Sequence, residues 1–227
     1  ETPAVRAAFN AITPDTHAKY LLTSGSTGHP KVVINTHRML CANQQMLAQT
    51  LRFLEHDKPV LLDWLPWSHT FGGNHNVNMV LRNGGTMYID DGKPLPGAID
   101  KTLAHLREVQ PTVFFAVPRI WEKLHALSLI KANDASWFKR RMLRFGLGLA
   151  RRIGAIKVAN MGRHTATSRV LAAIGWVLVF RAMRERLGLR RCRYAGSGAA
   201  PIAPEVLEFF IGLGVPVYEL YGMTENS

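Results

Sequence analysis

The sequence predicts an α/β fold, with largely parallel sheets and helices on both faces. Short apolar runs of strand length alternate with stretches whose apolar residues recur at helical spacing. Two glycine-rich turns follow strand-like runs, the position at which open α/β sheets bind ligands. With 47% hydrophobic and 19% charged residues, the 227-residue chain has enough apolar surface for a substantial core.

The elements follow in order. Residues 31–35 leave a glycine-rich turn as a strand, and residues 37–54 read as a helix with Leu40, Leu47, Leu51 and Leu54 on one face. A short apolar run at 60–65 suits a buried strand, and Asn83-Gly84-Gly85 turns the chain into another at 86–89. Ile99, Leu103 and Leu106 mark a helix that Pro111 ends. Residues 112–117 are strand-like, and Ile120, Leu124 and Leu127 return to helical spacing. The basic stretch that follows is mostly helical, with Phe138, Met142, Phe145 and Leu149 on one stripe. A strand at 192–194 meets Gly196-Ser197-Gly198, a helix covers 204–212, and a last strand at 215–220 leads into Tyr221. No internal repeat and no disorder-like composition interrupts this order.

The net charge of +12 is local. Between Lys131 and Arg193 stand 16 Lys or Arg and 2 acidic residues, while the rest of the chain holds 12 basic and 14 acidic. Such a segment suits an anionic lipid surface, a phosphorylated substrate or a nucleic acid. It carries no nucleic-acid motif and no interleaved exposed aromatics, so no nucleic-acid partner is expected. Within it, residues 170–180 form an apolar run containing Trp176, flanked by Arg169 and Arg181. That run is too short to span a bilayer and reads either as a buried core helix or as a helix lying on a membrane surface. Cys41 and Cys192 have neither metal-ligand nor disulfide spacing, and read as reduced core thiols of a cytoplasmic protein. No signal-peptide pattern opens the chain.

Chemistry concentrates in four motifs. From Tyr20 to Lys31, glycines that expose backbone N–H groups stand beside the hydroxyls of Thr23, Ser24, Ser26 and Thr27 and the charge of Lys31. A triphosphate calls for this combination, with preorganised donors spread over several negative charges. A flexible Ser/Gly linker would not close in Pro30-Lys31 and run into Val32-Val33-Ile34. Nor is the motif a Walker loop, because Val32 stands where that loop needs a Mg²⁺-binding hydroxyl. The second motif runs from Leu65 to Gly73 and includes His69. The third is Ser197-Gly198-Ala199-Ala200-Pro201, and the fourth is Tyr221-Gly222-Met223-Thr224-Glu225. Outside them, His75 reads as structural, Asp90-Asp91 as a solvated turn, and Glu205 and Glu208 as acidic residues favouring a helix start.

These motifs, in this order, resemble those of adenylate-forming enzymes: acyl- and aryl-CoA synthetases, firefly luciferases and peptide-synthetase adenylation domains. The resemblance implies attack of a carboxylate on the α-phosphate of ATP, giving an acyl-adenylate and pyrophosphate, after which CoA displaces AMP. It implies that Thr23, Ser24, Gly25, Ser26, Thr27, Gly28 and Lys31 hold the β- and γ-phosphates. Ser197, Gly198, Ala199, Ala200 and Pro201 would form one side of the adenine slot, with Tyr221 and Gly222 opposite and Met223 in the same motif. Thr224 would bond the α-phosphate, and Glu225 with Thr23 would hold Mg²⁺. His69 would lie beside the substrate carboxylate, with Phe71 and Gly72 in the same substrate segment. The catalytic roles thus fall to Lys31, His69, Thr224 and Glu225.

For the acid, residues 67–94 resemble aryl-CoA synthetases of the feruloyl type, whereas the chain from 112 onward resembles long-chain fatty acyl-CoA synthetases. A long-chain fatty acid is the first expectation and an aryl acid the alternative. A non-catalytic nucleotide-binding or lipid-surface module is the alternative from another class. The resemblance also implies that residues 1–227 form part of a large AMP-binding domain, with a basic helical insert at about 131–190. A C-terminal lysine-bearing domain would lie outside the chain, which alone is expected to be inactive or weakly active. The expected location is cytoplasmic, with peripheral membrane contact through the insert left open.

Overall fold

The computed structural model describes residues 2–23, 28–91, 98–133 and 136–226, with the backbone alone for 131–133. Two compact units divide the chain. The first comprises Glu1–Pro59, Leu65–Met87 and Gly222–Ser227, and the second comprises Val60–Trp64 and Tyr88–Tyr221.

In the first unit, α1 (Pro3–Asn10) starts where the Thr2 hydroxyl accepts from Val5 N–H, with proline in the first turn. Strands β1 (His17–Thr23) and β2 (Lys31–Thr36) pair antiparallel, so Thr23 and Lys31 face each other. Thr36 then caps α2 (His37–Thr50). This helix is shorter than the 37–54 the leucine spacing predicts. The chain tightens after Thr50 into a 3₁₀ turn, Arg52–Glu55, that buries Leu51 and Leu54. Leu40 and Leu47 are only half-buried, and the buried positions are Gln44 and Ala48. A polar contact sets that rotation: Gln44 Nε2 donates to Asn74 O at 2.8 Å. Asn74 belongs to a π-helical stretch, Phe71–Val77, that continues into α3 (Asn78–Asn83).

The second unit begins with β3 (Val60–Asp63), which lies beside the end of β4 (Thr86–Ile89); Asp90 N–H donates to Asp63 O at 2.8 Å. In α4 (Ile99–Val109) the predicted Ile99, Leu103 and Leu106 are buried. β5 (Val113–Ala116) is buried throughout, and α5 (Pro118–Asn133) buries Ile120, Trp121 and Leu124. Then come α6 (Trp137–Ala159), α7 (Ala166–Gly175), a π-helical turn at Trp176–Phe180, and α8 (Arg181–Arg186). β6 (Tyr194–Gly198), α9 (Pro204–Gly212) and β7 (Val217–Leu220) complete it. Strands β5, β6 and β7 run parallel in that order. Trp121 anchors their core: its ring meets Phe114 and Phe210 edge-on at 5.1 and 4.9 Å, and its Nε1–H donates to Gly196 O at 3.3 Å.

Several expectations need correction. Gly196, Ser197 and Gly198 do not follow a strand but form the end of β6, and the turn comes at Ala199. On α6, Leu149 is buried and Met142 half-buried as expected, but Phe138 and Phe145 are 67% and 53% exposed. The buried line instead runs through Gly146, Leu147, Ala150, Ile153 and Gly154. Small residues select this face because α9 packs backbone to backbone against it. A methyl added at Gly154 would strike Glu208 O, and one at Gly212 would strike Ala150 O.

Asp90 is not solvated: it is 3% exposed and accepts from the Thr102 hydroxyl while meeting His105 Nδ1, which ties α4 to the end of β4. Cys41 is exposed rather than in the core. Cys192 is buried, and burial pushes its thiol up to about 12. Residues 170–180 are buried on one side only: Gly175, Val179 and Phe180 are buried, whereas Val170 and Val177 are 61% and 81% exposed. They belong to one helical run of 21 residues, Ala166–Arg186, long and apolar enough by length and composition to cross a membrane.

Gly212→Ala is expected to lower stability by about 1–3 kcal/mol through overpacking. Gly148→Ala, where an added methyl meets nothing, is expected to raise it by about 1 kcal/mol. Denaturant titration of the two variants checks the opposite signs. Thiol titration of the folded protein at mildly alkaline pH is expected to modify Cys41 alone, and both cysteines once the protein is unfolded.

Candidate functional site

Each unit positions its own share of the candidate residues. In the first, the β1–β2 hairpin sets Thr23 across from Lys31, and the Thr23 hydroxyl donates a long 3.5 Å bond to Lys31 O. The Lys31 side chain is exposed. Gly28 has φ 85°, a backbone state open to glycine. Ser24, Gly25, Ser26 and Thr27 lie outside the described residues.

The segment around His69 is built from backbone. His69 N–H donates to Pro66 O at 3.0 Å, and Gly73 N–H donates to His69 O at 2.9 Å. The exposed imidazole accepts from Phe71 N–H at Nδ1, 3.2 Å. A neutral ring fixed this way carries its proton on Nε2, ready to donate outward. A methyl at Gly72 would strike Pro66 O, and one at Gly73 would strike Trp67 O and come within 2.6 Å of Lys19 Nζ. Glycines therefore let Lys19 and the Pro66-Trp67 backbone press onto this turn. Burial pushes the Lys19 ammonium below its ordinary pKa. The Phe71 ring is half-buried, edge-on to His75 at 5.4 Å. The Thr70 hydroxyl is buried without a hydrogen-bond partner among the described residues. Further along the same unit, Thr224–Asn226 forms a 3₁₀ turn in which Thr224 is half-buried and Glu225 exposed; Gly222 and Met223 before it are exposed.

In the second unit, Gly198 pairs with Leu220, so Ala199 and Tyr221 leave neighbouring parallel strands at the same level. Ala199 sits at φ 72°, a left-handed state costing a non-glycine residue about 1–2 kcal/mol. Glu219 braces this turn: its Oε1 accepts from Ile202 N–H at 3.3 Å. Ser197 is 1% exposed, and its hydroxyl has no partner among the described residues. Ala199, Ala200 and Pro201 after it are exposed, as is Tyr221 just past the end of β7, at 89%.

These groups suit a nucleotide and a hard cation. Ser197 in the second unit and Thr70 in the first are each buried hydroxyls without a hydrogen-bond partner among the described residues. Thr23 and Glu225 offer the hydroxyl and carboxylate oxygens that Mg²⁺ prefers. A second set, Asp90, Asp91 and His105, brings its ligand atoms within 4.8 Å of one another. Those donors are already engaged: Asp91 pairs with Lys101 at 2.6 Å, and Asp90 holds Thr102 and His105. An apolar cavity of about 150 Å³ among α4, α5, α6 and α8 contains none of the motif residues.

The family model described as AMP-binding enzyme matches residues 3–227. The chain belongs to the AMP-binding enzyme family. This AMP-binding chain is 34% identical over 216 residues to the long-chain-fatty-acid–CoA ligase ACSBG2 of Xenopus laevis, covering 94% of the chain and 28% of that relative. It is 30% identical over 212 residues to the long-chain-fatty-acid–CoA ligase heimdall of Drosophila melanogaster, covering 92% of the chain and 30% of that relative. It thus spans less than a third of these relatives. Its fold matches the ATP-bound MatB of Rhodopseudomonas palustris with TM-score 0.56 and 25% identity, over 94% of the chain and 30% of that protein. It also matches the AMP-bound A-PCP didomain of the Segniliparus rugosus carboxylic acid reductase with TM-score 0.56 and 23% identity, over 94% and 25%.

Three residues escaped the sequence reading. Lys19 gave a usable signal, a lysine directly before the first motif, as did Glu219, two residues before the fourth. Trp121 gave none, since a tryptophan at helical spacing reads as ordinary core. Ser197→Ala is expected to stabilise the ligand-free protein by about 1 kcal/mol, because it removes an unpaired buried hydroxyl. The same change is expected to shrink the thermal stabilisation that added ATP produces; thermal unfolding with and without nucleotide checks both.

Proposed function

We propose that the whole protein is an AMP-forming acid–CoA ligase acting on long-chain fatty acids. In this reading the chain is part of its AMP-binding large domain, with the basic helical insert at about 131–190 and a lysine-bearing domain outside the chain. One observation carries the proposal: the family match over residues 3–227 comes with relatives that are themselves named long-chain-fatty-acid–CoA ligases. A cytoplasmic location with peripheral membrane contact through the insert belongs to the same reading.

The chemistry assigned to the residues follows their donors. Adenylation gathers negative charge on the phosphates of ATP, so Lys31, Thr23, the loop N–H groups of 24–28 and Thr224 are assigned to them. Mg²⁺ would be held by Thr23 and Glu225 and would supply charge neutralisation to the phosphates. Ser197 to Pro201, braced by Glu219, and Tyr221 to Met223 are assigned to the adenine. His69, whose Nδ1 accepts from Phe71 N–H and so leaves Nε2–H as the donor, is assigned to the carboxylate of the acid, and Phe71 and Gly72 to the same substrate segment. CoA then accepts the acyl group as its thioester and AMP leaves.

AMP formation by the whole protein with CoA, compared across palmitate, octanoate, ferulate and acetate, tests this. Palmitate is expected to be fastest. A preference for ferulate would move the substrate to the aryl class, and no AMP with any acid would leave a non-catalytic nucleotide-binding module. Lys31→Ala is expected to reduce AMP formation by about 100-fold or more. Its exposed side chain makes the change neutral for folding.

A further inference from the structure

The helix from Ala166 to Arg186 turns an apolar face to solvent. Val170, Ile174, Val177 and Leu178 are 61%, 43%, 81% and 48% exposed. Their spacing puts them on one stripe. Ser168, Gly175, Val179 and Met183 fall on the opposite, buried side. Trp176 is set apart from the stripe by the Arg184 guanidinium, 5.5 Å from its ring centre. Gly146 of α6 lies directly against Val179, so the helix is seated along the second unit rather than standing free of it.

Along the sequence, the stripe lies in a basic stretch that ends at Glu185. Between Ala135 and Arg184 there are 11 Lys or Arg and no acidic residue. A protein partner would have to match both that charge and an aliphatic strip, and a nucleic acid offers nothing to the strip. An anionic bilayer meets both at once, with phosphates for the cations and acyl chains for the stripe. We propose that this face lies in the plane of an anionic membrane. Val170, Ile174, Val177 and Leu178 enter the acyl boundary, and Arg169 and Arg181 meet the headgroup phosphates. The proposal deepens the membrane-contact part of the preceding reading and needs none of its ligase chemistry.

Cysteine chemistry provides the probe. In the whole protein with Cys41 and any reactive cysteine outside residues 1–227 changed to Ser, and with Val177→Cys, an environment-sensitive fluorophore attaches at 177 while buried Cys192 stays unmodified. Phosphatidylcholine vesicles containing phosphatidylserine are expected to blue-shift the emission, with reversal at high salt. Pure phosphatidylcholine vesicles are expected to give much less, and a label at Glu55→Cys in the first unit none. Arg169→Gln or Arg181→Gln should weaken binding about five-fold each, and Val170→Glu or Ile174→Glu more than ten-fold each. All four positions are exposed, so the variants are expected to stay folded, which circular dichroism checks. An equal shift on neutral vesicles would overturn the proposal. So would a shift that grows with protein concentration in the absence of lipid, which marks a second copy, or no shift at all. A shift driven by RNA instead of lipid would do the same. AMP formation in the same samples keeps the two readings separate, because it persists where only the membrane face fails.

Discussion

The second unit depends on the contact between α6 and α9, where backbones meet at Gly154 and Gly212 with no room for a side chain between them. α9 is the crossover between β6 and β7, and its other side presents Phe209 and Phe210 to the core around Trp121. Fixing α9 at this distance fixes the parallel pairing of the two strands. That pairing brings Ala199 and Tyr221 off the sheet at the same level. A methyl between the helices would be felt at the strand edge because the interior transmits displacement instead of absorbing it.

The same edge carries local costs that the core offsets. Ala199 holds a left-handed backbone, and Ser197 buries a hydroxyl without a partner. Each is worth on the order of 1–2 kcal/mol against folding. Glu219 accepts Ile202 N–H and holds the turn in its strained shape. Such features persist only where the surrounding structure determines them, and they gather at ligand sites. Here they coincide with a motif that the sequence order alone already set apart.

Legibility followed the size of the side chain that makes the decision. Helix α4 was readable because Ile99, Leu103 and Leu106 are large, periodic and buried. The start of α9 was readable because Pro204 suits the first turn of a helix. The buried face of α6 was not, because glycine and alanine select it and the phenylalanines that dominate the pattern point outward. α2 was not legible for a related reason: its buried face carries Gln44, whose amide donates a hydrogen bond to Asn74 O, and Ala48 rather than the two leucines. In the candidate site, the four motifs and their order were legible from residue type. The Phe71 N–H bond that fixes the His69 tautomer was not, and neither was the approach of Lys19 to Gly73, since both need the folded backbone.

The basic helices extend this reasoning. One side of α6 is taken up by α9 through its glycines, and Gly146 receives Val179 from the helical run that follows α7. Both contacts are made by small residues at close range, beside the buried Leu147, Leu149 and Ile153 of α6. Phe138 and Phe145 on α6, and Val170, Ile174 and Val177 along the next helix, are exposed on the outer faces. A soluble surface would ordinarily replace them with polar residues, because exposed apolar groups contribute nothing to folding and promote association. Their placement among cations, with no acidic residue in the 50 positions from Ala135 to Arg184, matches the chemistry proposed for an anionic membrane face.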